Sequence, residues 1–330
     1  MTMQSRVVLI DRPGGPDVLR VQQQDVPQPG PGQVLLRHTA IGVNYIDVQH
    51  RSGRYPLASY PAPIGLEAVG VVEAAGAGVT LCRGERVAYS FPPVGAYADR
   101  RCVSAGHLVP VPDGIGDDMA AAVFNKGLTA HYLLHTTHPV AAGETIVVHA
   151  AAGSVGSLLC QWASAKGATV IGTVGSGAKA GIAAGNGCAH VIDYGREDFV
   201  ARVQDITGGR GVPVVYDSVG QDTFEGSLRC LSRRGLLVSF GTASGPIPPF
   251  DLFRLNQLGS LYVTSPAYVT HTERRDELLE RAAAVFAAVA AGTLRLAAPR
   301  IYALADAALA HRDMQGRART GVAILRPQPY

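Results

Sequence analysis

The feature that most restricts this chain is a series of β-rich segments separated by helix-like ones: Thr145 to Ala150, Val170 to Val174, His190 to Tyr194, Val212 to Val219, Leu236 to Gly241 and Leu261 to Thr264. Six strands in such a rhythm predict an α/β fold with a parallel, doubly wound sheet. Segments such as TIVVHA and VPVVYDSV are almost continuously apolar, as strands covered on both faces must be. After the first strand, Val155, Leu158, Leu159, Trp162 and Ala163 recur at helical spacing until Lys166 and Gly167 close the helix. A strand, a glycine turn and this helix explain the 21 residues from Thr145 to Ala165 that lack Asp, Glu, Lys and Arg at least as well as a membrane span does.

The first 125 residues have another character. Short extended runs (Arg6 to Ile10, Val34 to Ala40, Ala68 to Ala74, Arg86 to Tyr89, His107 to Val111) alternate with turns rich in Pro and Gly, such as Pro27 to Gly32. An irregular β-rich domain is expected there. Beyond the parallel sheet, Arg275 to Ala291 reads as a helix with Leu278, Ala282, Val285, Phe286 and Val289 on one face and Gly292 past its end. The expected division is residues 1–125, 126–265 and 266–330, with the last segment returning to the first domain. A chain of 330 residues, 47% apolar and 17% charged, can fill two such cores.

At the end of the first parallel strand stands His149-Ala-Ala-Ala-Gly-Ser-Val-Gly156, where a glycine pattern means phosphate binding. Gly153 lets the backbone approach a pyrophosphate, Gly156 permits close helix packing, and the N–H groups of the first helical turn attract the anion. Ala151 occupies the place of the first glycine of G-x-G-x-x-G, so a tight βα turn without a cofactor also fits. The second strand bears on which dinucleotide is held. A site for the unphosphorylated form usually places an acid about 20 residues after the glycines. Here Gly172-Thr-Val-Gly-Ser-Gly-Ala-Lys179 has none before Asp193. Gly175, Ser176 and Lys179 suit a 2′-phosphate, which favours NADPH over NADH. Taken alone, Lys179 would be a solvated lysine at a helix start.

Other classes find no support. His131, His135 and His138 could share a helical face, but Pro139 follows and no acid or thiol lies close, so ordinary polar histidines are expected and no metal. Neither G-x-S-x-G nor G-x-x-x-x-G-K-[ST] occurs. The net charge of +3 is spread along the chain, leaving no footprint for nucleic acid or a membrane surface. Five cysteines without a C-x-x-C pair fit a reducing compartment, and the start of the chain lacks a signal-peptide core, so a cytoplasmic protein is expected.

Several longer segments, AIGVNYIDVQHRSGRYP (40–56), NKGLTAHYLL (125–134), HAAAGSVGSLLCQWA (149–163), VVYDSVGQDTF (214–224) and GLLVSFGTASG (235–245), together resemble the zinc-free, zeta-crystallin-like quinone oxidoreductases of the medium-chain dehydrogenase/reductase superfamily. The resemblance runs from Gly14 to Gly321. It implies a GroES-like catalytic domain with an inserted Rossmann domain that binds NADPH. Where zinc-dependent relatives have Gly-His-Glu, this chain has Gly65-Leu-Glu67, and leucine cannot ligate zinc. The resemblance assigns Asn44, Tyr45, Asp47 and Tyr55 to the catalytic cleft, and Thr129 and Tyr132 to the helix beside the nicotinamide. Gly153, Ser154, Val155 and Gly156 match its pyrophosphate turn. Ser176, Lys179 and Tyr194 match its 2′-phosphate group, Gly175 counts with them among the cofactor-binding residues, Arg319 matches a further cofactor contact, and Ser218, Val219, Phe240, Gly241, Thr242 and Ser244 match loops around the cofactor. Some relatives have arginine where this chain has Ser265, a departure that bears on quinone preference.

Quinone reduction is the implied activity, because the charge that develops on so activated an acceptor needs only nearby donors such as Asn44 and Tyr55, not a metal. Reduction of the C=C bond of α,β-unsaturated aldehydes or ketones uses the same parts. Binding of NADPH or RNA without catalysis belongs to a different class. The apolar last strand, Ser260 to Thr264, would be an exposed edge, which predicts a homodimer paired across it.

Overall fold

The computed structural model describes residues 3–316 and 321–327. Two compact units emerge, one made of the residues up to Asn125 with Thr272–Ala290 and Leu296 onward, the other of Lys126–His271 with Ala291–Arg295.

In the first unit, β1 (Met3–Ile10), β2 (Arg20–Val26), β3 (Gln33–Gly42), β4 (Ala62–Pro63), β5 (Glu67–Ala75), β6 (Arg86–Ser90), β7 (Arg100–Ser104) and β8 (Val109–Pro110) precede the second unit's sheet. Between them lies α1 (Tyr45–Ser52), and α2 (Asp117–Tyr132) crosses the boundary. β2 was not expected from its sequence: Arg20-Val-Gln-Gln-Gln-Asp-Val26 is polar because most of it is open to solvent, and its pairing with β1 stabilises it. The extended run expected over His107 to Val111 is shorter. A 3₁₀ turn covers Ala105–His107, and Pro110 and Pro112 leave only a two-residue strand, since proline lacks the N–H a ladder needs.

The second unit is the parallel sheet: β9 (Thr145–Val148), β10 (Thr169–Val174), β11 (Cys188–Asp193), β12 (Val212–Asp217), β13 (Leu231–Ser239) and β14 (Tyr262–Thr264). Their order, β11-β10-β9-β12-β13-β14, reverses direction between β9 and β12, the switch point at which such sheets bind ligands. The crossovers carry α3 (Ser154–Ala165), α4 (Ala180–Gly185), α5 (Phe199–Thr207) and α6 (Phe224–Cys230), and α7 (Phe253–Gln257) precedes β14. Leu158, Leu159, Trp162 and Ala163 are the buried face of α3, and its end is closed by Gly167 at φ +85°, a conformation glycine adopts without strain. Val147, Ile171, Val215, Phe224, Leu228 and Leu237 form this unit's core.

The chain then returns through α8 (Arg275–Ala290), β15 (Arg300–Ala303), α9 (Ala307–Gln315) and β16 (Ala323–Arg326). β16 pairs with β3, and Tyr302, Leu304, Ala310 and Leu325 share one core with Val34, Leu36 and Ile41. The first unit is thus built from both ends of the chain.

Candidate functional site

The turn after β9 is built around Ala150, which holds a left-handed φ of +51°. Its carbonyl accepts the Gly153 N–H at 2.7 Å. A Cβ on Gly153 would stand 3.0 Å from that oxygen, and one on Gly156 would overlap it. Gly156 is therefore required for α3 to start against the turn, and at Gly153 a side chain would fit only tightly. The first α-helical bond of α3 runs from Ser157 N–H to the Gly153 carbonyl at 2.8 Å, so the N–H groups of Ser154, Val155 and Gly156 are the orphan donors of the helix start. No side chain caps them, and Gly153 and Ser154 are exposed. A helix start with free donors and an open surface suits an anion, and these residues fit the pyrophosphate of a dinucleotide.

At the ends of β10 and β11, the Tyr194 phenol oxygen lies 2.9 Å from where a Cβ on Gly175 would be, so the absent side chain makes room for the ring. Ser176 follows, and Lys179 ends the short 3₁₀ turn Gly177–Lys179, its N–H bonded to the Ser176 carbonyl at 3.0 Å. The structure thus brings Gly175, Ser176, Lys179 and Tyr194 to neighbouring strand ends. Arg319 lies outside the described residues.

Across the switch point, the loops after β12 and β13 are stitched together. Ala243 N–H donates to the Ser218 carbonyl at 3.1 Å, while Ser244 gives both its N–H and its hydroxyl to the Val219 carbonyl at 2.8 Å. A Cβ on Gly241 would lie 2.9 Å from the Ser218 oxygen. Phe240 N–H donates to the Asp217 carbonyl, and Thr242 accepts the Gly245 N–H. Asp217, buried beneath, organises this region. Its carboxylate accepts the N–H groups of Val219 (2.8 Å) and Gly220 (3.0 Å) and the hydroxyls of Thr223 and Ser227. His149, also buried, bridges Thr173 Oγ1 at 2.8 Å and Ser227 Oγ at 2.9 Å; burial lowers its pKa, with Asp217 acting in the opposite sense. Thr129 and Tyr132 are both buried, and the Tyr132 ring stacks on His271 with centroids 4.3 Å apart.

The other named residues belong to the first unit. Asn44 precedes α1, and Asp47 Oδ2 accepts its N–H at 2.8 Å, an acid closing the helix start. The Asn44 side chain completes the capping box by accepting the Asp47 N–H, and its Nδ2 donates to Glu67 Oε2 at 2.8 Å. Glu67 is fully buried and its Oε1 accepts the Asn125 N–H at 2.6 Å. Asp47, equally buried, accepts the Tyr97 hydroxyl at 3.0 Å, and Tyr97 in turn faces His311 Nε2 at 3.0 Å. Because the phenol proton goes to Asp47, His311 Nε2 must donate to the phenol oxygen, and Nδ1 then accepts from Arg51 Nη1 at 3.1 Å. This neutral imidazole agrees with a pKa lowered to about 3, first by burial and then by Arg51. Burial, reinforced by Asp47, raises the Tyr97 phenol well above its usual value. Tyr45 and Tyr55 are the exposed members, at 39% and 48%. Of the four residues named for the catalytic cleft, the two tyrosines offer surface to a ligand, and Asn44 and Asp47 are enclosed.

Sequence reading missed the roles of Asp217, Tyr97 and His311, and noted Glu67 only beside the absent zinc ligand. The available signal was an acid inside an apolar run, in IGLEAVGVV and VVYDSV, since a buried charge needs partners. Leu66 is buried. His131 and His135 stack on one another with centroids 4.3 Å apart and meet Trp162 edge-on, and His138 Nε2 faces Glu144 at 3.2 Å. Among the described residues no three His, Cys, Asp or Glu side chains are grouped to hold a metal ion, and no helix is long and apolar enough to cross a membrane.

Two family models match the chain, "Alcohol dehydrogenase GroES-like domain" over residues 30–113 and "Zinc-binding dehydrogenase" over residues 154–284. The quinone oxidoreductase of Pseudomonas aeruginosa is 46% identical, over 95% of this chain and 97% of its own length. A 2-haloacrylate reductase from a Burkholderia species is 45% identical, over 97% of this chain and 98% of its own. The crystal structure of Escherichia coli quinone oxidoreductase complexed with NADPH superposes with a TM-score of 0.95 at 43% identity, covering 98% of this chain and all of that one. On these grounds the chain belongs to the quinone oxidoreductase family of the medium-chain dehydrogenase/reductase superfamily.

Proposed function

We propose that the chain is an NADPH-dependent, metal-independent reductase of quinones. The observation that carries this reading is the turn at Ala150–Gly156, a tightly fitted Gly153 and an indispensable Gly156 at an uncapped helix start, in a chain similar over nearly its whole length to quinone oxidoreductases. The N–H groups of Ser154, Val155 and Gly156 would hold the pyrophosphate, Ser176, Lys179 and Tyr194 the 2′-phosphate, and the Ser218–Gly220 and Phe240–Gly245 loops the rest of the dinucleotide. Bound there, NADPH supplies the hydride.

The protein's own contribution is orientation and electrostatics. Glu67 and Asp47 keep Asn44 in one orientation, which makes it and Asp47 positioning residues. Tyr45 and Tyr55 present hydroxyl donors to an acceptor whose oxygen gains negative charge. Leu66, where zinc-dependent relatives have histidine, supports chemistry without a metal ion.

A second reading, reduction of an activated C=C bond, is favoured by the similarity to the 2-haloacrylate reductase. NADPH oxidation with 1,4-benzoquinone, 9,10-phenanthrenequinone, an enone and 2-chloroacrylate, each with and without a chelator, tests both. Turnover with the quinones that survives chelation is expected. Turnover with the alkenes alone would establish the second reading, and NADPH binding without any turnover would favour a non-catalytic role; RNA binding has no basic stripe to support it. The reading also includes a homodimer paired across β14, the last strand of its sheet, and a reducing, cytoplasmic setting in keeping with five unpaired cysteines.

A further inference from the structure

The loop after β10 carries no acid, yet the fold delivers one to it from the next strand. Val174 and Asp193 are register partners in the parallel pair β10–β11, so the two strands end at the same level. Asp193 Oδ2 lies 3.6 Å from where a Cβ would stand on Gly177, while Oδ1 accepts the Gly195 N–H at 3.0 Å, which fixes the carboxylate beside the loop. Arg196 Nε is 3.8 Å from Oδ2, beyond hydrogen-bond length, and its side chain is 82% exposed. The acid is therefore only partly neutralised, and a guanidinium stands nearby with little to hold it.

From this placement we infer that Asp193 is a specificity-determining residue that opposes a 2′-phosphate in the loop Gly175–Lys179, and that Arg196 offsets it. The inference rests on the proposed NADPH reading of that loop. A carboxylate next to a phosphate dianion is repulsive, whereas next to a ribose 2′-hydroxyl it is a hydrogen-bond acceptor. Ser176 and Lys179 thus set a preference for the phosphorylated cofactor that Asp193 restrains. The second strand ends without an acid, and the third strand supplies one beside the same loop.

The test is to measure the dissociation constants of NADPH and NADH for the full chain and for Asp193→Asn and Arg196→Gln, at low ionic strength, with thermal melting to verify folding. Asparagine keeps an oxygen for the Gly195 N–H. Asp193→Asn is expected to tighten NADPH about fivefold while NADH stays constant or weakens, and Arg196→Gln to weaken NADPH about threefold. If Asp193→Asn changes both cofactors by the same factor, or neither, Asp193 does not set specificity. If the unaltered chain shows no saturable binding of NADPH, the dinucleotide reading fails and the inference goes with it.

Discussion

Glu67 occupies the space that a side chain on Gly42 would need: in the β3–β5 ladder the two residues face each other, and a Cβ on Gly42 would overlap the Glu67 carboxylate. That Cβ would also stand 2.8 Å from the Ala121 carbonyl, so neither side can give way easily. Gly42→Ala should therefore push Glu67 off Asn44 and the Asn125 N–H, at a cost of about 1–3 kcal/mol. Urea unfolding measures the cost, and a midpoint equal to that of the unaltered chain would show that the carboxylate moves freely.

Buried histidines, His38 and His311 most strongly, make the fold acid-sensitive. Burial lowers His38 to about 4, and burial with Arg51 lowers His311 to about 3, against 6.5 for the free side chain. The unfolded chain binds the two protons below pH 6.5 and the folded chain does not. Stability is consequently complete above pH 6.5 and falls as the pH drops towards 4, by about 1.4 kcal/mol per pH unit for each histidine. Urea titrations between pH 6.5 and 5, where carboxylates still carry charge, should show this slope. His311→Gln should reduce the total slope by about 1.4 kcal/mol per pH unit, the share of one histidine, while His38, His149 and the other histidines lowered by burial keep the rest; an unchanged slope would mean that His311 is protonated in the fold.

Lys179 is the cation on the loop of the proposed 2′-phosphate site, so reversing its charge should act on one cofactor. Lys179→Glu is expected to weaken NADPH at least about tenfold and NADH less than about threefold. Fluorescence titration with both cofactors reads the ratio. Equal losses would move the phosphate elsewhere.

The parallel sheet was legible because its central strands are buried on both faces, which makes TIVVHA and VPVVYDSV almost continuously apolar, and because glycine is required at 156 and closely fitted at 153 by contacts with Ala150. The glycine turn could be read locally since strand, turn and helix are contiguous. Asp193 could not. It faces the loop after β10 only through strand pairing, and sequence distance carries no trace of register. The chain Asp47–Tyr97–His311–Arg51 was equally hidden, because its members come from α1, the loop before β7, and α9 at the far end of the chain. β2 escaped notice for a different reason: most of its surface meets solvent, so it lacks the alternation by which a half-buried strand is recognised.

β14 bounds its sheet: Tyr262, Val263 and Thr264 pair on one side only, with Leu236, Leu237 and Val238 of β13, and Tyr262 is 58% exposed. Just before it in sequence, Leu252 and Phe253 are exposed by 70% and 60%. An unpaired edge beside apolar surface is a template for another strand, and an antiparallel pairing of β14 with its own copy satisfies the edge once and leaves none free. Light scattering at micromolar concentration should accordingly give about twice the chain mass of 34.5 kDa. Tyr262→Lys places a charge where the two copies would meet, as natural edge strands do to prevent pairing, and should shift the protein towards the monomer while leaving NADPH affinity unchanged. A monomer before any substitution would rule out the β14 interface, and a dimer that persists in Tyr262→Lys at the same concentration would place the contact on another face.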